Sequence, residues 1–338
     1  MTTVIEQRYR TALRLLPSYY RAEREEEMVE TYLDGIDERV RDEMRPALGE
    51  VASIAALAIR TRMGAAGAPA RYAALGAVVR LFALLSVLLH AASALTEQAL
   101  FFTWFGAAPA QDREGYLGDF TGHGAAPALY EALLWLLPLA WAVVYLALIR
   151  DHRRTAFVFA ALAALPDLVS VVQHVSGGRD TVSVALSLAT AVFSWLTVLA
   201  LCCGFHCDAP PARLPLASPA PALVGTCVLM GASIVVWPEI AATGGSGGVA
   251  FTAAAATWLV ARRRSPKHAA DPALPLALAT LGLAVLVERT LTLTFVFQAH
   301  APGSLIAVTT VQAGTIALLA AALTTTGTRS LTARLRTG

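Results

Sequence analysis

Charge is scarce in this chain. Aspartate, glutamate, lysine and arginine make up 15% of its 338 residues, against about a quarter in an ordinary soluble protein, while 56% are hydrophobic. Lysine occurs once, at Lys267, so arginine carries nearly all the positive charge. That excludes a water-soluble core of ordinary size, and lipid must cover much of the apolar surface. The formal net charge is +2 and the basic residues are not gathered into one stripe, which excludes a nucleic-acid-binding face. A phosphate-binding G-x-x-x-x-G-K-[ST], a dinucleotide fingerprint and H-E-x-x-H are all missing, so no cofactor is expected. No nucleophile–base pair can be picked out either, which argues against an enzyme. The first long apolar run does not follow a short basic start. The expectation is an uncleaved first span and no cleavable signal peptide.

What the chain does have is eight apolar stretches, near 73–95, 126–149, 155–175, 181–203, 220–241, 244–261, 273–297 and 303–326. Most hold the roughly 20 residues that a helix needs to cross hydrocarbon. The sixth is the weakest, because Gly244, Gly245, Gly247 and Gly248 occupy its start. Arginine falls on alternate connectors: Arg150, Arg153, Arg154, Arg213, Arg262, Arg263, Arg264 and Lys267, then Arg329, Arg334 and Arg336 in the tail. The opposite connectors hold only Arg113 and Arg179, beside Asp112, Glu114, Asp119 and Asp180. This is the positive-inside pattern of eight crossings with both ends in the cytoplasm of a cell with an inner membrane. The expected fold is an all-α polytopic transmembrane helix bundle preceded by a small cytosolic three-helix domain. Its parts are a helical domain at 1–65, a linker at 66–72, the bundle at 73–326 and a basic tail at 327–338. The third and fourth spans and the seventh and eighth have similar turns, Gln173-His174-Val175-Ser176-Gly177-Gly178 and Gln298-Ala299-His300-Ala301-Pro302-Gly303. This suggests two four-helix halves in the same orientation.

In the opening segment, Ile5, Tyr9, Leu13 and Leu16 recur at helical spacing, with Thr2 and Thr3 as caps. Pro17 ends that helix and Ser18 offers the next cap. Met28, Tyr32, Leu33, Ile36 and Val40 then form a second apolar face, and Leu48, Val51, Ala52, Ala55 and Ile59 a third. Glu25 to Glu27 read as a solvent face balanced by Arg21 and Arg24. The run Arg14-Leu15-Leu16-Pro17-Ser18-Tyr19-Tyr20-Arg21, followed by Arg24-Glu25-Glu26-Glu27-Met28, resembles the helical prefix domain of some bacterial permease-like membrane proteins. That family's prefix domains are associated with PadR-type regulators. The resemblance covers about the first sixty residues and implies a module for a cytosolic protein partner, with no catalytic residues.

Ionisable side chains inside hydrocarbon are costly and are functional candidates by default. At 1.5 Å per residue, Asp167 comes out roughly 18 Å from the cytosolic face. Glu288 and Glu131 come out at roughly 22 Å, with His90, His174 and Glu239 higher still. Arg289 stays charged and needs an acid from another helix, because residues adjacent in a helix point about 100° apart. Asp167, Glu131 or Glu239 could supply it. One reading is an interhelical ion pair that fixes packing. The other is a substrate or proton path through Asp167, Glu288, Arg289, Glu131, Glu239, His90 and His174. Arg80 can snorkel to headgroups. Cys202, Cys203, His206 and Cys207, with Cys227 nearby, could hold a soft metal, although C-C-x-x-H-C is no standard motif and small apolar thiols are the plain alternative. Small stretches such as Ala253 to Ala256 allow tight helix packing within or between chains. Two functions follow: a regulatory or accessory membrane component, or a transporter or permease subunit using the acidic layer. An intramembrane enzyme is a distant third.

Overall fold

A computed structural model describes residues 4–34, 47–65, 67–121, 124–206, 209–210, 218–264 and 271–337. All regular elements among them are helices. The chain divides into two compact units, residues 1–77 with 206–209, and residues 78–205 with 210–338.

The first unit holds α1 (Val4–Leu13), α2 (Ser18–Asp34) and α3 (Leu48–Arg62). Ile5, Tyr9, Leu13 and Leu16 are buried, the stripe that their spacing requires. Pro17 has no N–H for a continuing helix, and its carbonyl accepts from the backbone of Tyr20 and Arg21. Ser18 is therefore the first residue of α2 rather than its cap. Val29, Ile54 and Ala58 complete the core, around which Met28, Tyr32 and Leu33 pack half-buried. Tyr9 stacks on Tyr32 at 3.9 Å between ring centroids. Thr2, Thr3, Ile36 and Val40 lie outside the described residues. The third stripe is corrected: Leu48 is 89% exposed and Ile59 is also exposed, while Ile54, Ala58 and Thr61 form the buried line. Apolar residues surround most of α3, so periodicity alone singles out no face. Tyr19 donates its hydroxyl to the Thr61 carbonyl at 2.9 Å and helps to choose one.

Arg10 bridges α1 and α2, pairing with Glu6 at 3.0 Å and Glu26 at 2.8 Å. The hydrogen bond from Arg10 holds the Glu26 carboxyl below the usual glutamate range. A depressed carboxylate stabilises the fold above its unfolded pKa, about 4.3, and the contribution is lost as pH falls through the lower folded value. Near-ultraviolet circular dichroism of the tyrosines in this unit should therefore lose amplitude only below about pH 4. An amplitude already falling near pH 6 would assign the acid sensitivity to another group.

The second unit begins within α4 (Ala70–Ala107), which also makes residues 70–72 of the expected linker helical. Next come α5 (Ala110–Thr121), α6 (Ala125–Leu136), α7 (Ala140–Ile149), α8 (Arg153–Ala163), α9 (Leu165–Ser176) and α10 (Thr181–Gly204). They are followed by α11 (Pro219–Val236), α12 (Pro238–Ala242), α13 (Ser246–Arg264), α14 (Ala273–Gln298) and α15 (Gly303–Thr337). Among the described residues, seven segments are long and apolar enough to cross a membrane: Ala70–Ala107, Ala128–Ile149, Arg153–Ser176, Thr181–Gly204, Pro219–Val236, Ala273–Gln298 and Gly303–Arg336. The remaining expected span is α13. Its 19 residues rise about 28 Å, but glycines at its start and Arg262 to Arg264 at its end leave it less apolar than the seven. It packs against α11, α14 and α15, with Phe251 and Trp258 buried.

Two boundaries extend beyond the apolar stretches. Phe101–Phe105 could extend the first span or lie in the interface as an aromatic belt; the helix runs on through them to Ala107, and Phe101 packs there against Trp104, Phe105, Tyr116 and Trp135. The expected tail continues as helix to Thr337. Within the bundle, Ala156, Ala160 and Ala163 are buried on α8, where small side chains let it lie close to α7. Pro138, Pro166 and Pro238 each sit in the first turn of a new helical piece, because proline removes one ladder donor and crowds the preceding turn. The α14–α15 turn puts His300 in the left-handed region at φ +50°, where an L side chain is strained. Replacing this exposed histidine with glycine should stabilise the protein by about 1 kcal/mol. A lowered melting temperature for His300→Gly would mean that the imidazole makes a contact worth more than the strain.

Candidate functional site

Asp167 owes its position to Pro166. The break between α8 and α9 falls at Ala164, so Asp167 stands in the first turn of α9, where free backbone N–H groups favour a carboxylate. From α10, Ser194 donates its hydroxyl to Asp167 Oδ2 at 2.5 Å. Glu97 lies two turns beyond His90 on α4, at an exposed edge of the bundle, with Ser93 Oγ 3.4 Å from its Oε1. Glu97 is within charge–charge range of both Asp167 and Glu288, and Asp167 is within range of Glu288. Three helices, α4, α9 and α14, thus carry carboxyl groups whose charges act on one another. Glu97 is exposed, and Asp167 and Glu288 are half-buried.

Arg289 does not act as the counter-ion for another helix. Its side chain is 2% exposed, and it donates to the carbonyls of Thr243 at 2.8 Å and Gly244 at 2.9 Å. It pairs at 3.0 Å with its own neighbour Glu288. The expectation that adjacent residues cannot pair fails because the long guanidinium stem bends back across the 100° offset. Gly244, at φ +61°, follows the C-cap Thr243 of α12, and the carbonyls of these two residues just past the helix accept from the guanidinium on α14. Gln312 on α15 adds a bond from Nε2 to the Gly245 carbonyl at 2.7 Å. The turn at Thr243–Gly245, which leads into α13, is thus held by two polar side chains, which satisfy its irregular backbone as a helix bundle in a membrane requires.

The other expected members are dispersed. Glu131 is exposed on α6, and Glu239 is half-buried in the first turn of α12, where its backbone carbonyl accepts from the Thr243 hydroxyl. His174 has Nδ1 2.7 Å from the Ser170 carbonyl of its own helix. His90 lies between Trp141 and Phe193, with ring centroids at 4.6 and 4.7 Å, and its buried Nε2 has no hydrogen-bond partner among the described residues. Cys202 and Cys203 are successive residues at the end of α10, and Cys227 Sγ lies 3.9 Å from the Ala92 carbonyl on α4. Among the described residues no three histidine, cysteine or acidic side chains are grouped to hold a metal. Cys207 lies outside them, and His206 is buried.

Sequence reasoning missed Glu97, Ser194 and Gln312. Glu97 could have been found from the apolar run that resumes at Ala99 after Thr96-Glu97-Gln98, which marks a polar patch inside a longer helix. Ser194 and Gln312 carry no charge and leave no comparable signal. Comparison with known proteins finds no family model that matches this chain, and no curated protein or solved structure that is similar to it.

Proposed function

We propose that this protein is a permease-type membrane component whose helix bundle takes up a proton or a small cation at Glu97, Asp167 and Glu288. The observation that carries this reading is the mutual charge interaction of three carboxyl groups from three helices, while the buried Arg289 shares its guanidinium between Glu288 and two backbone carbonyls. A carboxylate in a membrane interior is expensive unless it binds a proton, a cation or a counter-ion. Among the described residues, Glu288 is the one of the three with an arginine partner. Hydroxyls from Ser93 and Ser194 can orient the other two without neutralising them. The arginine bias between connectors supports an inner-membrane location with both termini cytoplasmic. Reconstituted protein should move protons or a monovalent cation down an imposed gradient. Silence of the wild type in liposomes, with the protein folded and inserted, would remove this reading.

The first unit supports an added role, recruitment of a cytosolic protein. It has its own core, while Val4, Leu15, Leu48 and Ile59 are exposed. The likeness of its opening to permease prefix domains belongs to the same proposal, in which the bundle's state is relayed to a regulator. Cross-linking of the full-length protein in native membranes should capture one partner that is lost from a chain lacking residues 1–65. Capture that is indifferent to the deletion would leave this unit without a docking role.

A further inference from the structure

The end of the bundle at which α11 and α14 begin and α13 finishes carries three consecutive arginines, Arg262, Arg263 and Arg264. Arg263 and Arg264 are exposed, and Arg262 is half-buried. Among the described residues no carboxylate pairs with any of them. The Arg262 guanidinium turns back over the Trp258 ring, 5.5 Å from its centroid, a contact that leaves its charge unneutralised.

Trp258 also lines a groove of about 440 Å³ between α4, α11, α13 and α14. Leu85, Leu88 and Leu229 make its walls apolar, and Gly225 and Ala253 give it depth. A Cβ on Gly225 would meet nothing within 4 Å, so the groove holds free space there. The groove has a direction, because its lining on α13 ends at Thr257 and Trp258 and the arginines follow within two turns. Thr226 spends its hydroxyl on the Ala222 carbonyl at 2.7 Å, whereas the exposed Thr257 hydroxyl has no partner among the described residues. Arg264 stands seven residues past Thr257, which returns it to within about 20° of the same helix face. Helical side chains lean toward the N-terminus, so these arginines lean back over the mouth of the groove, as Arg262 does over Trp258.

We propose that this groove binds an anionic glycerophospholipid, with the phosphate at Arg262 and Arg264, an ester carbonyl at Thr257 and one acyl chain in the apolar channel. From the arginines inward the protein presents cation, hydroxyl donor and apolar wall, the order in which such a lipid presents phosphate, ester and chain. A zwitterionic lipid brings its own cation to the arginines and gains less. On the arginine bias of the connectors this end faces the cytoplasm, where basic pockets between membrane helices meet anionic headgroups. The site shares no residue with the carboxylate centre, and the two proposals stand or fall separately.

The test titrates full-length protein in detergent with radiolabelled dioleoyl phosphatidylglycerol and, in parallel, dioleoyl phosphatidylcholine, which has the same chains and no net charge. Phosphatidylglycerol should bind saturably and about tenfold more tightly, which corresponds to about 1.4 kcal/mol. Arg262→Gln combined with Arg264→Gln should bring the two affinities together. Gly225→Leu, which fills the free space and leaves every arginine in place, should weaken both lipids by about tenfold even if the double variant fails to fold. Inorganic phosphate should displace neither lipid, since it brings no chain. Equal affinity of the wild type for the two lipids would overturn the proposal. So would a phosphatidylglycerol preference that survives the loss of both arginines, or lipid binding untouched by Gly225→Leu. Displacement by inorganic phosphate, or efficient cross-linking of Gly225→Cys to a second copy across the groove, would overturn it as well.

Discussion

Arg289→Ala is expected to lower the stability of the folded protein by about 3–5 kcal/mol, because it removes the charged donor of two backbone hydrogen bonds, each contributing about 1.5–3 kcal/mol. Three groups lose their partner together: the carbonyls of Thr243 and Gly244, and the carboxylate of Glu288. The turn between α12 and α13 would then sit among membrane helices with unsatisfied backbone. Arg289→Lys should recover only part of the loss, because an ammonium cannot reproduce the fork that spans two successive carbonyls. Thermal unfolding of purified protein in one detergent, compared across wild type, Arg289→Lys and Arg289→Ala, reads the order directly. Equal melting temperatures for the two variants and the wild type would show that the guanidinium is not what holds the turn.

Asp167→Asn is expected to reduce proton or cation movement in liposomes by at least about tenfold while leaving the amount of inserted protein unchanged. The amide is nearly the same size and its oxygen still accepts from Ser194, so packing at the start of α9 is preserved. What changes is the removable charge. Ser194→Ala should have a smaller effect, since it takes away the donor that orients the carboxylate and leaves the charge in place. If Asp167→Asn transports at the wild-type rate, the pair Asp167–Ser194 is a packing contact and nothing more.

Much of the architecture was legible in the residue pattern because hydropathy and arginine placement act over whole helices. The third to fifth and the seventh expected spans match helices to within a few residues, except that the fifth helix breaks at Pro238. Ends were less legible where polar residues interrupt an apolar run. Past residue 95 the residues Phe101 to Phe105 read equally as an extension of the first span or as an interfacial belt, and the helix carries on through them. On α3, apolar residues on several faces hid the one that packing selects.

The site was legible only in its charges. Asp167 and Glu288 stand out as acids within apolar runs, and the fold does bring them together. Arg289 stood out for the same reason, but its partners were misjudged, since two of them are backbone carbonyls from a turn 45 residues or more away in sequence. No pattern of side chains announces such a partner. The glycines at 245 and 248 were visible as a flexible run, yet their reason is the Gln312 amide that fills the space their missing side chains leave.

Whether Glu97, Asp167 and Glu288 form one centre is tested most directly by infrared titration of the carboxyl bands in nanodiscs, comparing wild type with Glu97→Gln, Asp167→Asn and Glu288→Gln. Each neutralisation should remove one band and displace the titration of the two that remain, as mutually interacting charges require. Three bands that vanish one at a time, with the others unmoved, would mean three separate acids and no shared site.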